Sequence, residues 1–218
     1  MLIVTFSGLD GCGKSTHVRL TADYLSLRGY KTRELVTWRI SVAGLVAGMQ
    51  ERIGGFAGRR QPDTVVSAES PSAVEPGERG LGFDRDRRSW ASRSKRLIAY
   101  PVDAVILRLW IRWLRIRGYA AVVCDRYCFD QMVNLPNPES RLARLMRWMS
   151  PRPHKTFFID ASPATVAQRR VEHSEEYYRI KYEGYRRLTQ AQYGLESVLS
   201  TTIDDTQRCI QESLDAVL

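Results

Sequence analysis

The sequence predicts an α/β fold in which a five-stranded parallel sheet lies between two layers of helices. Short apolar runs, of the kind that form buried parallel strands, alternate along the chain with longer segments of helical periodicity. Such alternation places a parallel sheet under helices on both faces. The 218 residues, of which 44% are apolar, suffice for a sizeable core. We therefore predict a single domain over residues 1–218.

The alternation also defines the individual elements. The pattern predicts strands at residues 2–7, 31–37, 119–124, 155–159 and 201–203. It predicts helices at residues 14–27, 39–52, 97–116, 139–149, 163–171, 175–199 and 207–217. Glycine or proline follows several of these helices, as is common where a helix ends.

Residues 54–96 fit neither pattern. They are rich in Gly, Pro, Ser and Arg and contain few periodic apolar residues. A structureless loop of this length is unusual in a compact domain. We interpret the segment as an irregular insertion near an acceptor site, either a mobile functional segment or a partly ordered one.

Composition excludes some classes of protein. No stretch approaches the roughly 20 apolar residues that cross a bilayer, so no membrane partner is expected. The four cysteines lack the spacing of a zinc site or a disulfide framework, which indicates reduced thiols in a cytoplasmic protein.

The net charge of +9 has two interpretations. The basic side chains neutralise nucleic-acid phosphates, or they serve a site for small anions and otherwise cover the surface. No signature of a nucleic-acid-binding module is present, which favours the second interpretation. Nucleic-acid binding by the Arg-rich segment 77–96 stays open as the less favoured alternative.

The most informative motif is a glycine-rich loop. Residues 8–15, GLDGCGKS, fit the pattern G-x-x-x-x-G-K-[ST] completely and lie between a predicted strand and a predicted helix. In that context backbone N–H groups surround a phosphate, and the helix N-terminus adds partial positive charge. Lys14 is expected to contact the β- and γ-phosphates of ATP, and Ser15 to bind Mg²⁺. The other predicted ATP contacts in this loop are Gly8, Gly11, Cys12, Gly13 and Thr16.

A second polar group follows the strand predicted at 119–124. Asp125 and Arg126 come directly after it, at the end of the sheet where parallel sheets bind ligands. Asp125 is expected to hold Mg²⁺, directly or through water, or to accept a proton from the acceptor. Arg126 is expected to bind an anionic oxygen of the acceptor. Together the motifs predict a kinase that passes a phosphoryl group to a small acceptor.

The two motifs resemble the signatures of thymidylate kinases. The resemblance covers residues 8–16, the Asp-Arg-Tyr triplet at 125–127, and the segment 158–163 followed by Arg169. It continues through the tyrosines of the next helix, which are Tyr177, Tyr178 and Tyr185. It implies a three-layer P-loop NTPase fold with a short lid at about 169–182, and a nucleotide kinase activity that uses ATP and Mg²⁺.

The resemblance also implies roles for single residues. Asp10 would lean towards the acceptor, Arg126 would bind the acceptor phosphate, and Arg169 would lie against the adenine of ATP. A lid residue would supply the cation that stabilises the transition state. The candidates for that cation are Arg170, which we prefer, Arg179 and Lys181.

The acceptor half departs from the family's pattern. Thymidylate kinases carry an arginine that contacts thymine some residues before the Asp-Arg-Tyr triplet. In this sequence the corresponding position is occupied by Asp103 or Ala104. An acid there would bind a donor-rich group instead of a carbonyl. Arg39 and Asp130 are further acceptor candidates, against a surface role for the first and a helix-cap role for the second. Tyr100 completes the predicted acceptor set.

Three functions follow, in order of preference. The first is a kinase for a nucleoside monophosphate, resembling a thymidylate kinase. The second is a kinase for a hydroxyl group of a nucleoside, sugar or natural product. The third is a regulatory ATPase that does not transfer, which is disfavoured because both motifs are present. A homodimer through the helix at 97–116 resembles family behaviour, although its tryptophans fit a core role equally.

Overall fold

The computed structural model describes residues 1–37, 90–135, 137, 140–169, 174–191 and 193–218, and for residues 90–98 and 169 it describes the backbone only. The helix predicted at 39–52 and most of the irregular segment 54–96 lie outside the described residues. All element labels below refer to the described part of the chain.

The described strands form one parallel sheet, as the sequence predicts. They are β1 (Leu2–Gly8), β2 (Thr32–Val36), β3 (Ala121–Asp125), β4 (Lys155–Asp160) and β5 (Leu195–Leu199). The order across the sheet is β2-β3-β1-β4-β5, and every pairing is parallel. The central strands β1, β3 and β4 are the most completely buried strands of the sheet, because helices cover both of its faces.

Seven described helices accompany the sheet. They are α1 (Lys14–Leu27), α2 (Trp90–Ile116), α3 (Cys128–Met132), α4 (Arg141–Met149), α5 (Pro163–Arg169), α6 (Glu175–Gln190) and α7 (Ile203–Asp215). Helix α1 packs on β2 and β3 and against α7, whereas α2 packs against α4. The α/β fold with a five-stranded parallel sheet flanked by helices is therefore confirmed. In the part of the chain that the structure describes, no helix is both long and apolar enough to cross a membrane.

The sequence prediction is wrong in the segment that follows residue 190. The single helix predicted at 175–199 ends at Gln190, and residues 195–199 form the edge strand β5. Gly194 between them has φ 75°, a left-handed conformation that a helix does not continue through. The strand predicted at 201–203 does not form, because the Thr202 side chain caps α7 by accepting from the Asp205 N–H and Ile203 is already helical.

Two further helices differ from the prediction. Helix α2 begins at Trp90 rather than at residue 97, so residues 90–96 are helical and do not belong to the irregular segment. Many Arg and Ser residues in that stretch hide the helical period. Helix α3 is absent from the prediction because five residues are too few to show a period.

Candidate active site

The two sequence motifs meet at the carboxyl end of the sheet. Strands β1 and β3 are parallel neighbours, and Phe6 in β1 is paired with Asp125 in β3. The glycine-rich loop leaves β1 at Gly8, two residues after that pair. In open parallel sheets ligands bind beyond the carboxyl ends of the strands, so this edge is where a site is expected.

Two glycines of the loop are required by geometry. A Cβ atom on Gly8 would lie 3.0 Å from both Cys12 Sγ and the carbonyl oxygen of Ile159. Gly13, directly before α1, has φ 94°, a conformation that side-chain-bearing residues rarely adopt. The loop can therefore turn tightly over β4 and open into the helix only with glycine at these positions.

Lys14 is folded into the loop. Its Nζ donates to the carbonyl oxygens of Gly8 (3.0 Å) and Leu9 (2.5 Å) and lies 3.8 Å from Asp10 Oδ1. Only 6% of the residue is exposed. A cavity of about 320 Å³ opens beside it, lined by Asp10, Gly11, Gly13, Lys14, Ser15, Thr16, Asp125 and Arg126. We refer to this space as the loop cavity.

Ser15 and Asp125 place side-chain oxygen atoms of the kind that ligate metals side by side at the loop cavity. The Ser15 hydroxyl donates to Asp125 Oδ2 over 2.6 Å. The other carboxylate oxygen, Oδ1, is buried and has no hydrogen-bond partner among the described residues. A buried polar atom without a partner is costly, so a cation or a ligand donor at Oδ1 would be favourable. Mg²⁺ takes oxygen ligands, usually one or two from the protein with the rest from phosphates and water, and this pair fits that requirement.

Arg126 has an unusual backbone conformation. Its φ is 68°, the one positive value among described residues other than glycine. Its N–H donates to the Phe6 carbonyl oxygen (2.9 Å), and its guanidinium donates to Asp10. Burial by itself lowers the pKa of Arg126, but the carboxylates of Asp130 and Asp10 outweigh it and raise the pKa above the ordinary value. Arg126 is thus a fixed cation, and strained backbone of this kind is concentrated at functional sites.

A second cavity, of about 190 Å³, is present at the same end of the sheet. We call it the α2–α3 cavity. Arg126 lines both cavities. The residues that line the α2–α3 cavity are Thr37, Asp103, Ala104, Leu107, Arg126, Tyr127, Cys128, Asp130, Gln131, Asn134 and Ser150. Within it Gln131 Nε2 donates to Asp103 Oδ2 over 3.1 Å.

Asp130 joins three parts of the site. Its Oδ2 accepts from the Ser7 hydroxyl (2.8 Å) and from the Tyr127 N–H (2.9 Å). Its Oδ1 accepts from the Tyr185 hydroxyl (2.6 Å), which lies 3.1 Å from the Gly8 carbonyl oxygen. Burial and then the charge of Asp130 raise the pKa of Tyr185 well above its ordinary value, so the phenol keeps its proton. The Asp130 carboxylate therefore connects β1, the turn after β3, and α6.

The cysteines near the site are not reactive thiols. Burial raises the pKa of Cys12, and it raises the pKa of Cys124 and Cys128 to about 12. A thiol of such pKa is protonated at neutral pH and therefore a poor nucleophile.

The structure brings most of the predicted site residues together. Asp10, Lys14, Ser15, Asp125 and Arg126 surround the loop cavity, and Asp103 and Asp130 line the α2–α3 cavity. Tyr100 is half-buried against the core and lines neither cavity. Arg39 and Arg170 lie outside the described residues, as does the side chain of Arg169. Of the predicted lid, residues 170–173 also lie outside, and residues 175–182 belong to α6.

Sequence reasoning missed two residues that organise the site. Ser7 is the last side chain before the loop and donates to Asp130. The Thr37 hydroxyl, at the end of β2, lies 3.2 Å and 3.1 Å from the carbonyl oxygens of Asp125 and Arg126. Their one signal in the sequence is that each polar residue ends a strand at the edge where the motifs lie.

Comparison with known proteins is consistent with this geometry. No family model matches the sequence. A curated thymidylate kinase from Symbiobacterium thermophilum is 22% identical over 235 aligned residues, which cover all of this chain and 94% of the relative. A similarity at this level over the whole length suggests a kinase-like relationship, and it agrees with the observed α/β fold.

Proposed function

We propose that the protein is a P-loop kinase that transfers the terminal phosphoryl group of ATP to a nucleoside monophosphate. The observation that carries the proposal is the position of Arg126, which lines the loop cavity and the α2–α3 cavity at once. A cation between a donor site and an acceptor site is what phosphoryl transfer needs, because the transfer depends on alignment and charge neutralisation.

The loop cavity is assigned to the triphosphate. Lys14 there would exchange the loop carbonyl oxygens for the β- and γ-phosphates, and the backbone N–H groups at the start of α1 would face the same oxygens. Ser15 and Asp125 would hold Mg²⁺, which supplies charge neutralisation at the phosphates when bound. The unpartnered Oδ1 of Asp125 supports this assignment.

The α2–α3 cavity is assigned to the acceptor. Arg126 would bind the acceptor phosphate and hold it in line with the donor. A phosphate acceptor is already an anion and needs no strong base. Transfer to a hydroxyl group would need a carboxylate to take the proton. Asp125 is assigned to Mg²⁺ in this proposal, and Asp10 is the ion-pair partner of Arg126, so neither carboxylate is assigned to take a proton. That assignment favours the phosphate acceptor over the hydroxyl alternative.

A basic residue of the predicted lid is proposed to supply the cation that stabilises the transition state. Arg179 pairs with Glu176 at 2.7 Å, and Lys181 donates to the Asn134 side chain, so both are held by other groups. Arg170 is the candidate that we prefer, with Arg169 against the adenine. Closing such a lid would also exclude water from the transferring phosphoryl group.

The proposal also covers the state of association and the cellular location. Exposed apolar residues at helical spacing on α2, among them Leu109, Trp113 and Ile116, would form the interface of a homodimer. A cytoplasmic location is proposed from the cysteines, which are all unpaired in the described residues.

The test is acceptor-dependent release of ADP. The protein is incubated with Mg²⁺–ATP and CMP, UMP, dUMP, dTMP, AMP or GMP, and then with nucleosides and sugars. We expect release with at least one monophosphate, loss of it in Lys14→Ala, and retention in the matched variant Lys31→Ala at the opposite end of the sheet. Release with a hydroxyl compound but with no monophosphate would replace the proposal with the second function.

A further inference from the structure

Asp10 contacts both of the basic side chains that are assigned to phosphates. Its Oδ1 lies 3.8 Å from Lys14 Nζ and also accepts from the Arg126 guanidinium. Asp10 and Lys14 line the loop cavity but not the α2–α3 cavity, whereas Arg126 lines both. One carboxylate oxygen of the proposed donor site thus contacts a residue that also belongs to the proposed acceptor site.

For Lys14, Asp10 is the compensating charge. Lys14 also donates to the carbonyl oxygens of Gly8 and Leu9, but these carry no net charge. Asp10 is the carboxylate within ion-pair distance of Lys14 Nζ in the described part of the chain. Because Lys14 is only 6% exposed, its ammonium group needs such a partner. A triphosphate in the loop cavity would bring several negative charges to Lys14 and would replace Asp10 in that role.

For Arg126, Asp10 is one of two important carboxylates. Burial lowers the pKa of Arg126, and the charges of Asp130 and then of Asp10 raise it. The oxygens of Asp130 accept from three other groups, whereas Asp10 accepts from the Arg126 guanidinium itself. Loss of the contact with Asp10 would therefore free N–H donors of Arg126 for another anion. The charge of Asp130 would still compensate the guanidinium.

We propose that Asp10 is a positioning residue that couples the two cavities, because a triphosphate in the loop cavity displaces Asp10 from Lys14 and Arg126 and thereby makes Arg126 available to the acceptor phosphate. This coupling rests on the proposed function. Asp10 lines the cavity that is assigned to the triphosphate, so its carboxylate and the phosphates repel each other. The Asp10 side chain is 30% exposed, so its carboxylate can turn towards solvent without becoming a buried, unpaired charge. Binding of ATP thus prepares the acceptor site.

The experiment measures by calorimetric titration how strongly a donor changes the affinity for an acceptor. The acceptor is the monophosphate of the panel above that supports the fastest ADP release, and the donor is a non-hydrolysable ATP analogue with Mg²⁺. In the wild-type protein we expect the analogue to tighten binding of the monophosphate by at least about fivefold, a typical coupling between two sites. By linkage the monophosphate must tighten binding of the analogue by the same factor, which checks the measurement internally.

A variant tests the residue itself. Asp10→Asn keeps the shape of the side chain and removes the charge that the ligands have to displace. We expect each ligand alone to bind at least about fivefold more tightly than in the wild-type protein, and the coupling factor to fall to about one or below. The matched control is Asp23→Asn, an exposed acid on α1, which should leave both affinities and the coupling factor unchanged. A purely structural role of Asp10 would instead weaken the binding of both ligands at an unchanged coupling factor.

The outcomes separate this inference from the proposed function. A wild-type protein that binds the monophosphate equally well with and without the ATP analogue would overturn the inference and leave the kinase function standing. That measurement needs no variant. The wild-type coupling factor in a folded Asp10→Asn protein would also overturn the inference alone. No ADP release with any monophosphate would overturn the proposed function and this inference with it.

Discussion

The hydroxyl group of Tyr185 donates to the Asp130 carboxylate over 2.6 Å and lies 3.1 Å from the carbonyl oxygen of Gly8. One side chain of α6 thus contacts both Gly8, the first residue of the glycine-rich loop, and Asp130, whose charge acts on Arg126. Because α6 also contains residues 175–182 of the predicted lid, this contact connects that helix with the glycine-rich loop and the α2–α3 cavity. The Tyr185 ring also stacks on Phe158, with centroids 5.0 Å apart.

Tyr185→Phe isolates that hydroxyl, since the ring and its stacking partner remain. We expect a loss of about 1–3 kcal/mol in the free energy of unfolding, because Asp130 Oδ1 is left buried without its donor. The measurement is urea denaturation, with Tyr30→Phe as the matched control that should change little. Equal stability of the two variants would mean that the hydroxyl contributes nothing to the network.

Asp125→Asn tests the proposed Mg²⁺ site at Ser15 and Asp125. The amide is neutral and binds a divalent cation much less well than the carboxylate. We expect kcat to fall roughly 100-fold or more and the Mg²⁺ concentration for half-maximal rate to rise. The measurement is ADP release across a Mg²⁺ titration, with Asp23→Asn as control. An unchanged Mg²⁺ requirement would remove Asp125 from the proposed metal site.

The sequence predicted the site best where geometry is local. Residues 8–15 are consecutive and their pattern demands a loop between a strand and a helix, so the positions of Lys14 and Ser15 followed. Asp125 lies beside Ser15 because neighbouring parallel strands end at the same edge of the sheet. The sequence offered a helix-cap role for Asp130, and its contact with the Tyr127 N–H at the start of α3 is of that kind. Its contacts with Ser7 and Tyr185 could not be predicted, since these residues lie 123 and 55 positions away in the sequence. Strand β5 was missed for a similar reason, because its pairing with β4, not its own pattern, makes it a strand.

Stability should fall in alkaline solution. The pKa of Cys124 and Cys128 is about 12 in the folded protein, raised by burial from an ordinary 9.0. The folded state therefore holds more protons than the unfolded state between about pH 9 and 12. The stabilisation is fully present below about pH 9 and is lost as the pH rises towards 12, by up to about 1.4 kcal/mol per pH unit and thiol.

The measurement for this pH dependence is urea denaturation at pH 7.5, 9.5 and 10.5. We expect little change near neutrality and a clear decrease above pH 9. In Cys124→Ala the alkaline slope should be shallower than in the wild-type protein, whereas Cys209→Ala, at an exposed position, should keep the full slope. Equal slopes in the wild-type protein and in Cys124→Ala would show that the Cys124 thiol is not a cause of the alkaline loss.

The apolar stripe on α2 predicts the state of association. Leu109 is 61% exposed and Ile116 is 78% exposed, on the same helix face as Trp113. If these residues form a dimer interface, Leu109→Glu should yield a monomer, because a charge is costly in an apolar contact. Sedimentation equilibrium measures this, with Leu27→Glu on α1 as the exposed control. A wild-type monomer at all concentrations would refute the proposed homodimer.

Gly13→Ala and Gly29→Ala separate backbone strain from ligand binding. Both glycines have left-handed φ values, 94° and 86°, and neither Cβ would meet an atom closer than 3.9 Å. Each substitution should therefore lower the free energy of unfolding by a similar amount, about 1–2 kcal/mol, through strain alone.

Gly13 precedes α1 in the glycine-rich loop, whereas Gly29 follows that helix at its other end. We expect only Gly13→Ala to lose affinity for Mg²⁺–ATP, by at least about tenfold, because relief of its strain shifts the N–H groups that face the phosphate. Calorimetric titration of ATP into both variants, beside their urea midpoints, measures the two effects independently. Equal ATP affinity in both variants would place the triphosphate away from this loop.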